Sequence, residues 1–422
     1  MEDKLTLLKK YNFWNNNIPE LGFIRTDYTG KIFDYVGNKL IKVLVGQRRI
    51  GKSYILRQLA HRLIDGGVNP KNILYINKEF TDFDFIRNYK DLEILLNDYQ
   101  IQWKPAGKMY LFIDEVQNIE GWEHFVNSYS QNFVTSYEIF ISGSNSRMLS
   151  GELATLLSGR YVQFNVFSFS FKEYTGIAQQ DISKQSYLQY MENGALPELF
   201  ALPNHETRRN YVSAIKDTVL LRDIIQRHTV KDPKLLEDLF VFLVNNASNL
   251  VSINNIVNFF KSKNRKTTYD TLSNYIGFIE DASLIHKTER YNIRGKETIS
   301  GNCKYYINDL SFKKYLYPGL AYGVGYELEN LVYLDLRRAG YEVYVGAMQE
   351  KEVDFIALKG DRTIYLQSAY LIPDEHTAQR EYAPLEAIRD NYEKYIVSLD
   401  DIVLPSRNGI QHVQVWNLAE IL

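Results

Sequence analysis

The sequence predicts an α/β protein that begins with a parallel β-sheet and continues into a helical region and a second α/β region. Between residues 39 and 166, short apolar runs of strand length alternate with helical stretches, which is typical of a parallel sheet covered by helices on both faces. A glycine-rich turn follows the first of these strands. From about residue 168 the pattern becomes mainly helical, and short strands return towards the C-terminus.

Composition indicates a globular protein of two or three domains. The 422 residues are 45% hydrophobic and 24% charged, which is ordinary for this class. Because Cys303 is the single cysteine, an internal disulfide is excluded and a reducing, cytoplasmic location is expected. No window reaches the ~18 apolar residues of a membrane span, so no membrane contact is expected. A net charge of −2 restricts any nucleic-acid contact to a local basic patch.

The first α/β region is predicted to hold five strands and a helical lead-in that contains Trp14, Arg25 and Tyr28. A helix over residues 53–63 follows the first strand, and the glycine pair after residue 65 ends it, as glycine often does. The predicted strands are 40–45, 73–76, 110–113, 138–141 and 161–164.

Residues 46–53 read Gly-Gln-Arg-Arg-Ile-Gly-Lys-Ser, which fits the phosphate-binding pattern G-x-x-x-x-G-K-S. In this pattern backbone N–H groups cradle phosphate oxygens, the lysine reaches the β- and γ-phosphates, and the serine hydroxyl ligates Mg²⁺. The helix that follows points its positive end at the anion. We therefore predict a site for ATP and Mg²⁺, with these nucleotide-binding residues: Gly46, Gln47, Arg48, Arg49, Ile50, Gly51, Lys52, Ser53 and Tyr54.

Two acidic residues directly follow the third predicted strand. Asp114 and Glu115 are expected at the carboxyl edge of the sheet, where open α/β sheets bind their ligands. Asp114 is predicted to hold Mg²⁺ together with Ser53. Glu115 is predicted to orient and deprotonate the attacking water, with Lys52 as the second catalytic residue.

Polar residues farther along are weaker candidates for the same site. Ser144 or Asn145, after the fourth strand, is a candidate to sense the γ-phosphate or fix the water, and the alternative is an ordinary helix N-cap. Arg160 is a candidate to approach the γ-phosphate in cis or from a neighbouring subunit, and the alternative is a surface arginine. Arg48 and Arg49 lie in variable positions of the loop, so we expect no catalytic part from their side chains.

These motifs resemble those of prokaryotic AAA-like ATPases that carry a C-terminal domain of unknown function similar to restriction-endonuclease-like folds. The resemblance covers nearly the whole chain and rests on residues 25–28, 46–53, 112–117, 142–145, 157–160, 194–197, 325–330 and 352–355. It implies a P-loop NTPase core of the AAA type, a winged-helix-like middle and a nuclease-like end domain. The predicted parts are a core (1–167), a helical lid or linker (168–232), a winged-helix-like domain (233–318) and a degenerate nuclease-like domain (319–422).

The predicted end domain departs from the nucleases it resembles. Those enzymes place a helix Glu, a strand Asp and a Glu-x-Lys on the next strand around Mg²⁺. Glu329 and Asp354 match the first two positions, but Gln367 stands for the acid and Ala369 for the lysine. We therefore expect a domain kept for packing, partner docking or DNA contact. The candidates to replace the lysine are Lys359 and Lys394.

The middle region has the order of a winged helix, with three helices before two strands. Helices are predicted over 235–245, 252–261 and 267–281, and strands over 284–289 and 303–307, joined by a loop over 290–296. A recognition helix enters the major groove with its first residues, and wing residues contact phosphate. The predicted DNA contacts are Lys266, Thr267, Tyr269 and Arg294, with Arg290 and Lys296 as further wing candidates. A solvated basic surface and a protein-docking module are the alternatives.

The leading functional hypothesis is an ATP-driven molecular switch or motor that acts with DNA or a protein partner. One alternative is an ATP-regulated nuclease, which Gln367 and Ala369 disfavour. Another is a nucleotide-gated scaffold with little hydrolysis. Oligomeric assembly stays open, because Arg160 is a candidate in cis and in trans.

Overall fold

The computed structural model describes residues 4–14, 17–145, 157, 159–318, 323–348 and 351–422. The chain divides into two compact units, an N-terminal unit, Met1–Val166, and a C-terminal unit, Phe167–Leu422. Across the described ranges, no helix has both the length and the apolar character needed to cross a membrane.

The N-terminal unit is built on a five-stranded sheet. Its strand order is β2-β3-β4-β1-β5, and every neighbouring pair is parallel. The five predicted strands are confirmed, and the helix after the first strand is longer than predicted by three residues. The elements are α1 (Lys4–Tyr11), α2 (Thr26–Phe33), β1 (Ile41–Val45), α3 (Lys52–Asp65), β2 (Ile73–Asn77), α4 (Tyr89–Trp103), β3 (Met109–Asp114), α5 (Trp122–Ser130), β4 (Tyr137–Gly143) and β5 (Tyr161–Asn165).

Helices on both faces bury this sheet. Every residue of β1, β2 and β4 is buried, because a parallel sheet that is covered twice leaves no strand face in water. Leu95 of α4 and Phe125 of α5 belong to one buried apolar cluster with residues of the sheet. The parallel arrangement brings the carboxyl ends of all five strands to one edge, called the carboxyl edge below.

The C-terminal unit contains a seven-stranded mixed sheet. Its strand order is β12-β11-β10-β9-β8-β6-β7. The helix His205–Thr218 continues through a π-helical segment, Val219–Ile225, and a last turn, Gln226–His228. The elements are α6 (Phe171–Ala178), α7 (Lys184–Asn193), α8 (His205–Thr218), α9 (Pro233–Asn245), α10 (Ile253–Ser262), α11 (Tyr269–Asp281), β6 (Ile285–Asn292), β7 (Glu297–Ile307), α12 (Ser311–Leu316), α13 (Val324–Arg338), β8 (Glu342–Met348), β9 (Lys351–Lys359), β10 (Arg362–Ala369), α14 (Glu375–Glu386), β11 (Glu393–Ser398) and β12 (Ile410–Gln414).

The hairpin β6–β7 differs from the predicted wing. Strand β6 runs to Asn292 and β7 begins at Glu297, so the predicted loop over 290–296 was too long. Strand β6 also pairs in parallel with β8, with Arg290 opposite Val345, so one sheet crosses the predicted boundary after residue 318. Arg290 therefore lies inside a sheet and not in a free loop. The four-part division and the winged-helix interpretation stay predictions.

The third helix of the middle region begins later than predicted. Thr268 is its N-cap, and its side chain accepts a hydrogen bond from the Thr271 N–H, as threonine often does at this position. Thr267 therefore precedes α11 and does not lie in its first turn.

Candidate functional site

The loop between β1 and α3 has a backbone that only particular residues allow. A Cβ atom on Gly46 would come 2.4 Å from the main-chain oxygen of Val166, so a side chain cannot occupy this position. Gly51 caps α3 with φ 97°, in the left-handed region that favours glycine. The two glycines thus let the loop pass close to β5 and turn into the helix, as a phosphate-binding loop requires.

Lys52 is buried at the centre of this loop. Its Nζ donates to the main-chain oxygens of Gly46 (2.9 Å) and Gln47 (3.0 Å). The same nitrogen lies 3.7 Å from Oε1 of Glu115. The loop lysine and the predicted catalytic acid are therefore brought together.

Asp114 ends β3 and is fully buried. Its Oδ2 accepts hydrogen bonds from the Tyr75 hydroxyl (2.9 Å) and the Asn77 amide (3.0 Å), and its Oδ1 accepts one from the Ser142 hydroxyl. Burial, together with the charge of Glu115, raises the pKa of Asp114, and the hydrogen bonds from Ser142 and Tyr75 oppose the increase.

Glu115 has a left-handed backbone with φ 54° and a carboxylate held by its neighbours. The Gln117 amide donates to Oε2 of Glu115 and to the Ser144 hydroxyl. Burial by itself would raise the pKa of Glu115, but Lys52, Gln117 and Arg48 outweigh it and hold the pKa below its ordinary value. Glu115 is therefore ionised at neutral pH and able to accept a proton.

Two other predicted site residues, Asn145 and Tyr54, have the following surroundings. Asn145 is half-buried and directly follows Ser144 at the carboxyl edge. The Tyr54 ring packs beside Gly22 and under the Arg57 guanidinium, whose central carbon lies 4.1 Å from the ring centroid.

Arg160 lies at the opposite edge of the sheet. Its main-chain oxygen accepts from the N–H of Ile41, the first residue of β1, and its guanidinium donates to Asn127 on α5 at 3.4 Å. The length of β1 separates it from the loop by about 16 Å. Arg160 is therefore not brought together with Lys52, and its action from a neighbouring subunit stays a prediction.

The sequence interpretation gave no role to Arg25, which contacts the loop from outside, or to Gln58, which holds Arg25 in place. Arg25 is 1% exposed, and its Nη1 donates to the main-chain oxygen of Ile50 at 3.2 Å. Gln58 of α3 accepts from the Arg25 N–H (3.1 Å) and donates to the main-chain oxygens of Leu21 and Phe23 (both 2.7 Å). The only available signal was that Arg25 belongs to a segment of the family resemblance.

The C-terminal unit brings Glu329 and Asp354 together around a lysine. Lys304 of β7 lies with its Nζ 2.8 Å from Glu329 Oε1, 2.8 Å from Glu352 Oε1 and 3.8 Å from Asp354 Oδ1. Tyr306 donates to Glu329 at 2.8 Å. Burial, with the charge of Asp354, raises the pKa of Glu329 to about 8 despite the opposing effect of Lys304. We call Lys304, Glu329, Glu352 and Asp354 the Lys304 cluster.

Neither lysine proposed as a replacement lies in the Lys304 cluster. The Lys359 Nζ lies 5.2 Å from the centroid of the Tyr341 ring, and Lys394 donates to the main-chain oxygen of Asp390 at 2.7 Å. That expectation was wrong, because the cation comes from β7 of the hairpin. Among the described residues, no group of three or more His, Cys, Asp or Glu side chains is arranged to hold a metal ion.

Gln367 and Ala369, which stand where the nuclease pattern has an acid and a lysine, both have structural roles in the sheet. The Gln367 side-chain oxygen accepts from the Asp354 N–H at 3.2 Å. The next residue, Ser368, donates its N–H and its hydroxyl to Asp354 Oδ2 at 2.8 and 2.9 Å, and Ala369 is buried. The assignment of a nuclease-like fold to this unit stays a prediction.

The candidate DNA contacts are for the most part on the surface. Lys266 and Arg294 are exposed, Tyr269 is 51% exposed, and Thr267 is partly buried. Arg265, by contrast, forms ion pairs with Asp232 and Asp238 and belongs to the fold.

Comparison with known proteins gives matches along most of the chain. An AAA domain profile matches residues 38–175, and a domain of unknown function (DUF8612) matches residues 184–320. An uncharacterised protein of Haemophilus influenzae is 35% identical over 382 residues, which cover 89% of this chain and 92% of that protein. An uncharacterised protein of Methanocaldococcus jannaschii is 29% identical over 378 residues, covering 83% and 79%.

Similar solved structures include a Walker-type ATPase of Pyrococcus abyssi, with a TM-score of 0.47 and 14% identity over 70% of this chain and 95% of that one. The Aeropyrum pernix ORC1 protein in complex with DNA has a TM-score of 0.33 and 12% identity over 75% and 97%.

A five-stranded parallel sheet with the glycine-rich loop after β1 and the acidic pair after β3 defines the class of AAA-like P-loop ATPases. The chain belongs to the family of AAA-domain proteins that includes its H. influenzae relative.

Proposed function

We propose that this protein binds ATP with Mg²⁺ and hydrolyses it, and that hydrolysis drives a molecular switch or motor. The observation that supports this most directly is the buried Glu115 carboxylate, 3.7 Å from the loop lysine Lys52. A P-loop that only binds nucleotide has no need of a base at this position, whereas a hydrolase does.

The residues at the carboxyl edge also fit the metal that the family implies. The Ser53 hydroxyl lies near enough to the Asp114 carboxylate to influence its pKa, and a hydroxyl beside a carboxylate is the pair of oxygen ligands that a P-loop offers to Mg²⁺. Bound Mg²⁺ would neutralise charge on the β- and γ-phosphates. Ser53 and Asp114 are therefore the residues proposed to hold it.

Each side chain has a part in the proposed reaction. The loop N–H groups and the Lys52 ammonium bind the phosphates and hold the γ-phosphorus in place. A water oxygen attacks this phosphorus and gives its proton to the Glu115 carboxylate. The bond between the γ-phosphorus and the β,γ-bridging oxygen breaks, and ADP leaves with that oxygen.

Measurements of ATP binding and phosphate release by the full chain test this proposal. Lys52→Ala should lose both, whereas Glu115→Gln should keep binding and lose about 10²- to 10⁴-fold in turnover, because only the base is removed. Glu120→Gln is the matched control, since Glu120 is exposed and five residues farther on. Normal binding with negligible turnover by the unmodified protein would favour the nucleotide-gated scaffold.

Duplex DNA is the partner proposed for this activity. Exposed Lys266 and Tyr269 at the start of α11 and exposed Arg294 in the hairpin turn support it, because a basic surface of this kind contacts phosphates. The ATPase rate should rise when duplex DNA is added, and Lys266→Ala with Arg294→Ala should remove the increase. A rate that DNA leaves unchanged would favour a protein partner.

A further inference from the structure

Two neighbouring arginines of the loop have different environments. Arg49 is exposed, with a left-handed backbone at φ 64°. The Arg48 side chain is only 9% exposed and forms an ion pair with Glu79. A buried guanidinium inside a phosphate-binding loop is unusual for a residue that merely fills a variable position, because burial of a charge is costly unless the charge is paired.

Glu79 lies on the far side of the site from the loop. It follows β2, and its N–H donates a hydrogen bond to Asn77 Oδ1 at 2.8 Å. The side-chain amide of Asn77 in turn donates to Asp114 Oδ2. In the sheet, β1 and β2 are separated by β4 and β3, which amounts to about 14 Å at ordinary strand spacing. The Arg48–Glu79 pair therefore extends over the carboxyl edge, past the ends of β3 and β4.

The ends of β3 and β4 carry the catalytic groups. Asp114 ends β3 and Glu115 follows it, and Glu79, the partner of Arg48, is linked to Asp114 through the side chain of Asn77. The guanidinium is therefore on the side of the site where the water and the γ-phosphate must meet.

We propose that Arg48 is a catalytic residue that acts within its own chain: it donates N–H hydrogen bonds to the γ-phosphoryl oxygens during hydrolysis, and Glu79 holds it at the site between turnovers. This inference rests on the proposed ATPase function. Arg48 keeps all its protons in the step, while the water proton goes to Glu115 as described above. The planar fork of arginine suits phosphate oxygens in a way that a lysine ammonium does not. Arg160 is then not needed for charge stabilisation.

The test compares steady-state hydrolysis and ligand affinity in variants of the full chain. Arg48→Ala should lower kcat by about 10³-fold and abolish binding of ADP with aluminium fluoride, which mimics the transferred phosphoryl group, while ADP affinity stays within about threefold. Arg48→Lys should recover only a small part of kcat, because it restores charge without the fork. Glu79→Gln should keep or raise kcat, since it releases Arg48. Arg62→Ala, an exposed arginine of α3, is the control for loss of surface charge.

The outcomes separate this inference from the function on which it rests. Equal losses in Arg48→Ala and Glu79→Gln would mean that the ion pair is only structural, and would overturn the proposal. Full kcat in Arg48→Ala, with a rate per chain that rises with protein concentration, would overturn it in favour of an arginine from a neighbouring chain. Absence of turnover in the unmodified protein would instead overturn the ATPase proposal, and this inference with it.

Discussion

Each of the two units buries a lysine beside carboxylates, but the surroundings of the two lysines differ. Lys52 divides its hydrogen bonds between two main-chain oxygens of its loop and has one carboxylate, Glu115, nearby. Lys304 has no such loop and lies among three carboxylates, those of Glu329, Glu352 and Asp354. The first lysine is at a helix N-terminus, where the peptide dipoles add positive charge, and the second is on a strand.

This difference separates a ligand site from an internal cross-link. Around Lys52, the ammonium lies in a glycine-rich loop at the positive end of a helix, so a polyanion is the natural addition. Around Lys304, three carboxyl groups surround one ammonium, so the cluster has no excess of positive charge to offer a polyanion. The same residue types therefore support phosphate binding in one unit and hold β7, α13 and β9 together in the other.

Replacing each of the two lysines by alanine is the strongest test of this comparison. Lys52→Ala should lower ATP turnover by at least about 10²-fold, whereas Lys304→Ala should leave the ATP affinity of the N-terminal unit within about twofold. Both are measured on the full chain, by phosphate release and by equilibrium titration with a fluorescent ATP analogue. A large loss of ATP affinity in Lys304→Ala would contradict the division of roles.

Local sequence signals explain why most of the N-terminal unit was predictable. The apolar runs that became β1 to β5 and the motif at residues 46–53 are contiguous, so each needs only its neighbours to be recognised. Asp114 and Glu115 followed because parallel strands end at one edge. The order of the strands in the sheet could not be derived in this way. The position of Arg160 could therefore not be predicted either, because it depends on β5 lying beside β1.

The parts that were missed depend on contacts between distant residues. Lys304 was assigned to a wing hairpin, and its partners in α13 and β9 lie 25 to 50 residues later. The pairing of β6 with β8 that unites them has no local pattern. The ion pair between Arg48 and Glu79 was missed for the same reason. Arg48 follows β1 and Glu79 follows β2, and these two strands are separated in the sheet by β4 and β3.

Lys304→Met should destabilise the C-terminal unit by about 3–5 kcal/mol, because removal of the buried ammonium leaves the Asp354 carboxylate without its partner. Urea unfolding of the full chain gives the free energy, and hydrogen exchange at β7 and β9 shows whether the loss is in this unit. Lys359→Met is the matched control, since Lys359 is exposed in the same sheet. Equal stability of the two variants would mean that the cluster is not a cross-link.

The raised pKa of Glu329 gives the cluster a pH dependence of defined sign. Its carboxyl group is protonated up to about pH 8 in the folded state, whereas it ionises near its ordinary value when unfolded. The folded state therefore binds more protons between about pH 5 and 8, and the free energy of unfolding should fall there by up to about 1.4 kcal/mol per pH unit. Glu329→Gln should flatten this part of the pH profile, and an unchanged slope would argue against the assignment.

The smallest expected effect concerns the hydrogen bonds that hold Asp114. Tyr75→Phe removes the hydroxyl that donates to Asp114 Oδ2 at 2.9 Å but leaves Asn77 and Ser142 in place. The loss of one such bond costs about 1 kcal/mol, so the Mg²⁺ concentration for half-maximal hydrolysis should rise by about fivefold with little change in kcat at saturation. Tyr110→Phe, in the next strand but outside these contacts, is the control. A fall in kcat alone would show that Tyr75 acts on the reaction and not on the metal ligand.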